Sequence, residues 1–119
     1  YGHSGGGVLG VLLANRIPQV KRIVTIASNL DIDTWADYHQ YSPLDGSLNP
    51  VDLDLRSDVR QFHYLGAEDR NVPLEVFPFA SQPPNLLVTV LPFADHQCCW
   101  EKHWPSILKK TSLINEIKG

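Results

Sequence analysis

Ser4 stands in the run Gly2-His3-Ser4-Gly5-Gly6, which fits the pattern G-x-S-x-G. A serine hydroxyl that attacks an acyl carbon must stand clear of its surroundings, on a sharp turn between a strand and a helix. Such a turn strains the serine backbone, and glycines two before and two after it leave room for the adjacent strand and helix. A helix that begins just after the serine turns free N–H groups and its positive dipole end toward a developing oxyanion. The Gly5 N–H is the expected donor. The plainer alternative is a glycine-rich turn capped by a serine.

A serine nucleophile needs a base, and the base needs an acid to orient it. Asp69 lies in Gly66-Ala67-Glu68-Asp69-Arg70-Asn71-Val72-Pro73, and His96 lies in Phe93-Ala94-Asp95-His96. Each follows a β-branched or apolar run, so each is expected on a loop at the carboxyl end of a strand. In an open α/β sheet that edge is where ligands bind. The order Ser, Asp, His also fits this chemistry. Glu68 competes with Asp69, as do Asp31 and Asp33, which follow an earlier strand pattern. Asp69 is alternatively a cap for a helix suggested at 72–79. His39, His63 and His103 compete with His96. His63 falls inside a strand pattern and is expected to be packed or on the surface. His103 lies on the approach to the last helix. His3 is expected to point away from the serine, into packing or solvent. Asp95 reads as a turn residue.

Cys98 and Cys99 lack the C-x-x-C spacing of zinc or redox sites. They are expected to be buried thiols packed under the loop with Trp100, a vicinal disulfide being the alternative. Trp35, Trp100 and Trp104 read as core or pocket wall. No metal or organic cofactor is implied.

The elements that must position these residues alternate between helix and strand patterns, which points to an α/β fold with a parallel sheet. Residues 5–16 are apolar nearly all round and read as a buried helix, ended by Pro18. Arg22–Ala27, Arg60–Leu65 and Leu86–Leu91 read as three parallel strands, the middle one central, with helices on both faces. Trp104, Ile107, Leu108, Thr111, Ile114 and Ile117 recur at helical spacing, with Pro105 suited to a first turn. Residues 31–59 form an irregular, lid-like excursion marked by Pro43, Gly46 and Pro50. Nine acids stand against two bases over 29–69. That stretch reads as a solvated surface excursion or as a lid over a site that prefers neutral or cationic substrates.

The 119 residues make one domain or less, and 43% hydrophobic with 19% charged residues excludes a disordered chain. A net charge of -3 gives no basic footprint for nucleic acid. No apolar run is long enough to span a bilayer, and no signal-peptide pattern is read. Adjacent cysteines cannot staple distant segments. The chain opens at Tyr1 directly on an apolar helix pattern, from which a preceding N-terminal part is expected.

Gly-His-Ser-Gly-Gly ahead of an apolar helix, then Gly-Ala-Glu-Asp-Arg-Asn-Val-Pro, then Phe-Ala-Asp-His, resembles the C-terminal half of an α/β-hydrolase. The resemblance covers nearly all of residues 1–119, with 31–59 the least typical part. Residues 29–31 and 42–50 are similar to a bacterial subgroup of that superfamily. The resemblance implies that Ser4 is the nucleophile, Asp69 the acid after the seventh strand and His96 the base after the eighth. It also implies that the first five strands, and the loop carrying a second oxyanion donor, are absent. This partial domain alone is therefore expected to be nearly inactive.

The expected activity is a serine hydrolase acting on a small-molecule ester, thioester or related acyl group. The alternative is a non-catalytic binding or assembly module that keeps the fold. The open edge of Arg22–Ala27 is expected to drive self-association, by antiparallel pairing of two copies.

Overall fold

The computed structural model describes residues 1–41, 48–50, 57–76 and 85–111. The chain runs β1 (Gly2–His3), α1 (Gly5–Ala14), β2 (Arg22–Ile26), α2 (Ile32–Tyr38), β3 (Arg60–Gly66), a 3-10 turn (Leu74–Val76), β4 (Leu86–Leu91) and α3 (Trp100–Thr111). The sheet is parallel throughout, in the order β1-β2-β3-β4. The three expected strands form at the expected positions, with β3 between the other two.

A fourth strand corrects the expectation of three. Gly2 and His3 pair with Thr25 and Ile26. Two residues are too few to show a period, and it is the parallel partner that makes them a strand. β2 is therefore covered along its carboxyl-terminal end and is not an open edge over its whole length. The side chains of each inner strand alternate between two faces. Val24, Ile26, Phe62 and Tyr64 pack with Trp100 and Ile107 of α3 on one face. Ile23 packs on the other with Val11 and Ala14 of α1. Helices thus lie on both faces of the sheet.

Two helices depart from expectation. α1 buries Gly7, Val11 and Ala14, but Leu9 and Leu13 on its outer side are 57% and 45% exposed. One face of α1 meets the sheet, so an all-round apolar composition does not make an all-round buried helix here. α3 begins at Trp100, so Pro105 sits inside it and not in its first turn. Buried Trp100, Ile107 and Thr111 supply its inward stripe, and the Trp100 indole N–H donates to the Asp95 carbonyl at 2.9 Å.

The excursion between β2 and β3 contains a helix, α2, that the scattered prolines and glycine obscure. Asp31 is its N-cap, accepting from the Thr34 N–H at 3.2 Å and from the Thr34 hydroxyl at 2.7 Å. Asn49 donates to the same carboxylate at 3.1 Å. α2 ends in a Schellman turn: Tyr41 N–H bonds the Ala36 carbonyl and Gln40 N–H the Asp37 carbonyl. Gln40 takes the left-handed conformation usual for glycine there, φ 58°. Pro43, Gly46, residues 77–79 of the helix suggested after Val72, and Ile114 and Ile117 of the last helix pattern lie outside the described residues. No helix among the described residues is long and apolar enough to cross a membrane.

Candidate active site

Ser4 sits at the hinge between β1 and α1 with φ 53° and ψ -122°. A side chain rarely adopts this region, and the surrounding strand and helix enforce it. The Ser4 N–H is held by the Ile26 carbonyl at 2.7 Å. The crowding that demands glycine falls on Gly2 and Gly7. A Cβ on Gly2 would lie 2.5 Å from the Gly7 nitrogen, and one on Gly7 1.9 Å from Ser28 Oγ, whereas Gly6 has open space. The second glycine of the pattern is thus not the one under steric demand; the residue after it is. Gly5 and Gly6 open α1, so their N–H groups have no acceptor within the helix.

The three residues singled out by order converge, though 65 and 27 positions separate them in the chain. Ser4 Oγ lies 2.9 Å from His96 Nε2, and His96 Nδ1 lies 3.0 Å from Asp69 Oδ2. The carboxylate can only accept, so Nδ1 carries the hydrogen, and Nε2 of the neutral ring accepts from the serine hydroxyl. The Asp69 side chain is fully buried, and His96 retains 22% exposure. Asp69 Oδ1 accepts the N–H groups of Asn71 and Val72, both at 2.8 Å. With both oxygens engaged, the carboxylate has a fixed plane, which fixes the imidazole.

The competing residues are occupied otherwise. Glu68 is exposed beside buried Asp69. Asp31 caps α2; burial pushes its carboxyl up, but the hydrogen bonds from Thr34 and Asn49 outweigh this and hold it below the usual range. Asn49 also reaches Asp33 at 3.5 Å. His63 is fully buried beside Thr25 and Gln61, and burial pushes its pKa down to about 3. His103 lies on α3 by Tyr64 and Thr89, away from Ser4. Asp95 is a turn residue: its Oδ1 accepts from the Cys98 and Gln97 N–H groups, which hold its carboxyl below the ordinary value.

Three side chains depart from expectation. His3 does not turn away; its Nε2 reaches the His96 carbonyl oxygen at 2.8 Å, and the two rings lie 5.6 Å apart. Cys98 and Cys99 are not buried thiols but a vicinal disulfide, with Cys98 exposed. The loop tip after His96 faces outward, and buried Trp100 fills the space beneath it. His39, weighed only as a rival base, donates from Nε2 to the Asn71 carbonyl at 2.6 Å.

An open cleft of about 1080 Å³ runs beside Asp69 and His96, walled by Tyr38, Glu68, Arg70 and Gln97. Among the described residues no group of three or more His, Cys, Asp or Glu side chains is gathered as a metal site.

No protein-family model and no curated protein matches the chain. Among solved structures, the esterase domain of a Rhodothermus marinus protein is similar in fold, with a TM-score of 0.53 at 20% identity. The match covers 80% of this chain and 50% of that one, so the chain spans half the length of that structure. Such a likeness supports the α/β fold.

Proposed function

We propose that this chain is the C-terminal half of a serine hydrolase of the α/β-hydrolase type, one that cleaves an ester, thioester or related acyl bond. The observation that carries the reading is the unbroken hydrogen-bonded line from Ser4 Oγ through His96 to buried Asp69, at 2.9 and 3.0 Å. The esterase-domain likeness supports it at the level of fold.

In this reading the Ser4 oxygen attacks the acyl carbon as His96 Nε2 takes its proton. The oxyanion forms at the start of α1, where the Gly5 N–H donates. Asp69, ionised and held by two backbone N–H groups, stabilises the imidazolium. His96 then returns the proton to the leaving group, and water attacks the acyl-serine by the same route.

The test is labelling of the complete protein with a fluorophosphonate probe. Covalent modification at Ser4, lost in Ser4→Ala and strongly slowed in His96→Ala, is the expected result. Absence of labelling in well-folded protein overturns the reading and favours a non-catalytic module built on the same fold.

A further inference from the structure

We propose that Trp35 and His39 are positioning residues that act on the Asp69–His96 pair through a single peptide group. The proposal rests on the hydrolase reading above.

The Trp35 Nε1–H donates to the Asn71 carbonyl oxygen at 2.8 Å, and His39 Nε2 meets the same oxygen at 2.6 Å. A carbonyl only accepts, so Nε2 of His39 carries the hydrogen. That carbonyl belongs to the peptide whose N–H is Val72's, and this N–H donates to Asp69 Oδ1 at 2.8 Å. The other oxygen of Asp69 faces His96 Nδ1, and His96 Nε2 faces Ser4. One line of hydrogen bonds thus leads from α2, through the 71–72 peptide, to the serine.

Two effects follow from the covalent structure of that peptide. Its six atoms lie in one plane, so two donors that fix the carbonyl direction also fix the direction of the Val72 N–H. Withdrawal of electron density at the oxygen polarises the N–H and strengthens its bond to the carboxylate. A lone indole N–H on a nearby carbonyl would be ordinary satisfaction of a half-buried tryptophan. Convergence of a second ring on the same oxygen exceeds that need.

The two rings are themselves held. Trp35 and His39 lie one helical turn apart with centroids at 5.3 Å, and Tyr41 stacks on His39 at 5.2 Å. The Schellman turn at Gln40 brings Tyr41 back onto them. Trp35 also packs against Leu65, Val72 and Val76.

The experiment uses the complete protein, a nitrophenyl ester and three variants. Trp35→Phe keeps the ring and drops the N–H, His39→Leu drops the donor, and His39→Gln keeps a donor of similar reach. Trp35→Phe and His39→Leu are expected to lower kcat by about tenfold each with KM little changed, the scale of one net hydrogen bond. His39→Gln should restore most of the rate. In an Asp69→Ala background both losses should vanish, because the acceptor they act through is gone.

Equal losses with and without the Asp69 carboxylate, no loss with it, or a His39→Gln variant as slow as His39→Leu would each overturn the proposal. Should the wild type neither label at Ser4 nor turn over ester, the hydrolase reading fails. The positioning claim is then read from the downfield proton signal of His96 Nδ1–H. It should move in Trp35→Phe and His39→Leu and stay in His39→Gln; a signal unmoved in all three overturns the claim.

Discussion

His3 Nε2 lies 2.8 Å from the carbonyl oxygen of His96. The residue immediately before the serine therefore holds the backbone of the histidine that faces that serine. The turn at Ser4 and the loop at His96 are tied twice, once through side chains and once through this bond. His3→Ala should slow ester hydrolysis about fivefold to tenfold through loss of one positioning hydrogen bond, and His3→Gln, which keeps a donor, should recover most of it. Steady-state kinetics of the two variants check this, and equal rates for both would remove His3 from a positioning role.

Ser4→Ala should abolish turnover in the complete protein, and His96→Ala and Asp69→Ala should each cost orders of magnitude in kcat. Asp31→Ala should leave the rate nearly intact and lower stability by about 1 kcal/mol through loss of the α2 cap. A rate for Asp31→Ala as low as that of Asp69→Ala would reassign the acid.

Steric demand at the elbow separates its glycines. Gly2→Ala and Gly7→Ala place a Cβ inside backbone or side-chain atoms, and each should destabilise the fold by several kcal/mol, in the range of overpacked cores or above. Gly6→Ala, with open space and a better helix former, should be neutral or slightly stabilising. Thermal denaturation of the three variants decides the order.

Buried His63 stays neutral because burial lowers its pKa from 6.5 to about 3. Between those values the unfolded chain binds one proton more than the folded chain, so acid favours unfolding. Stability from this group is complete above the unfolded value and falls as pH drops toward 3, by at most about 1.4 kcal/mol per pH unit. Urea titrations at several pH values in this window should show that slope in the wild type and a shallower one in His63→Gln. Equal slopes would place the acid sensitivity elsewhere.

We expect the 119-residue chain to associate with a second copy of itself. Leu13 and Ile17 are exposed and line, with Val20, Ile23 and Val24, a depression along the length of β2 that no described strand pairs on that side. Exposed apolar side chains next to an open strand edge favour pairing. Sedimentation should show a dimer at micromolar concentration, and a compact monomer would contradict this.

Local pattern made the main frame legible. β2 and β4 form where apolar, β-branched residues cluster, and β3, without one β-branched residue, forms where Phe62, Tyr64 and Leu65 run up to Gly66. The serine pattern, its helix and the order of Asp69 and His96 were legible because strand ends in a parallel sheet share one edge. α2 carried a local signal too, the Asp31 cap with Thr34 three residues on, but the prolines and glycine around it outweighed that signal. β1 had no signal, since two residues become a strand only through their partner. The roles of His3, Trp35 and His39 were beyond reading along the chain. Each depends on one carbonyl oxygen 32 to 93 positions away. Which carbonyl a ring N–H meets is decided by how helices and loops pack on the sheet, and hydrophobic periodicity carries no record of that choice.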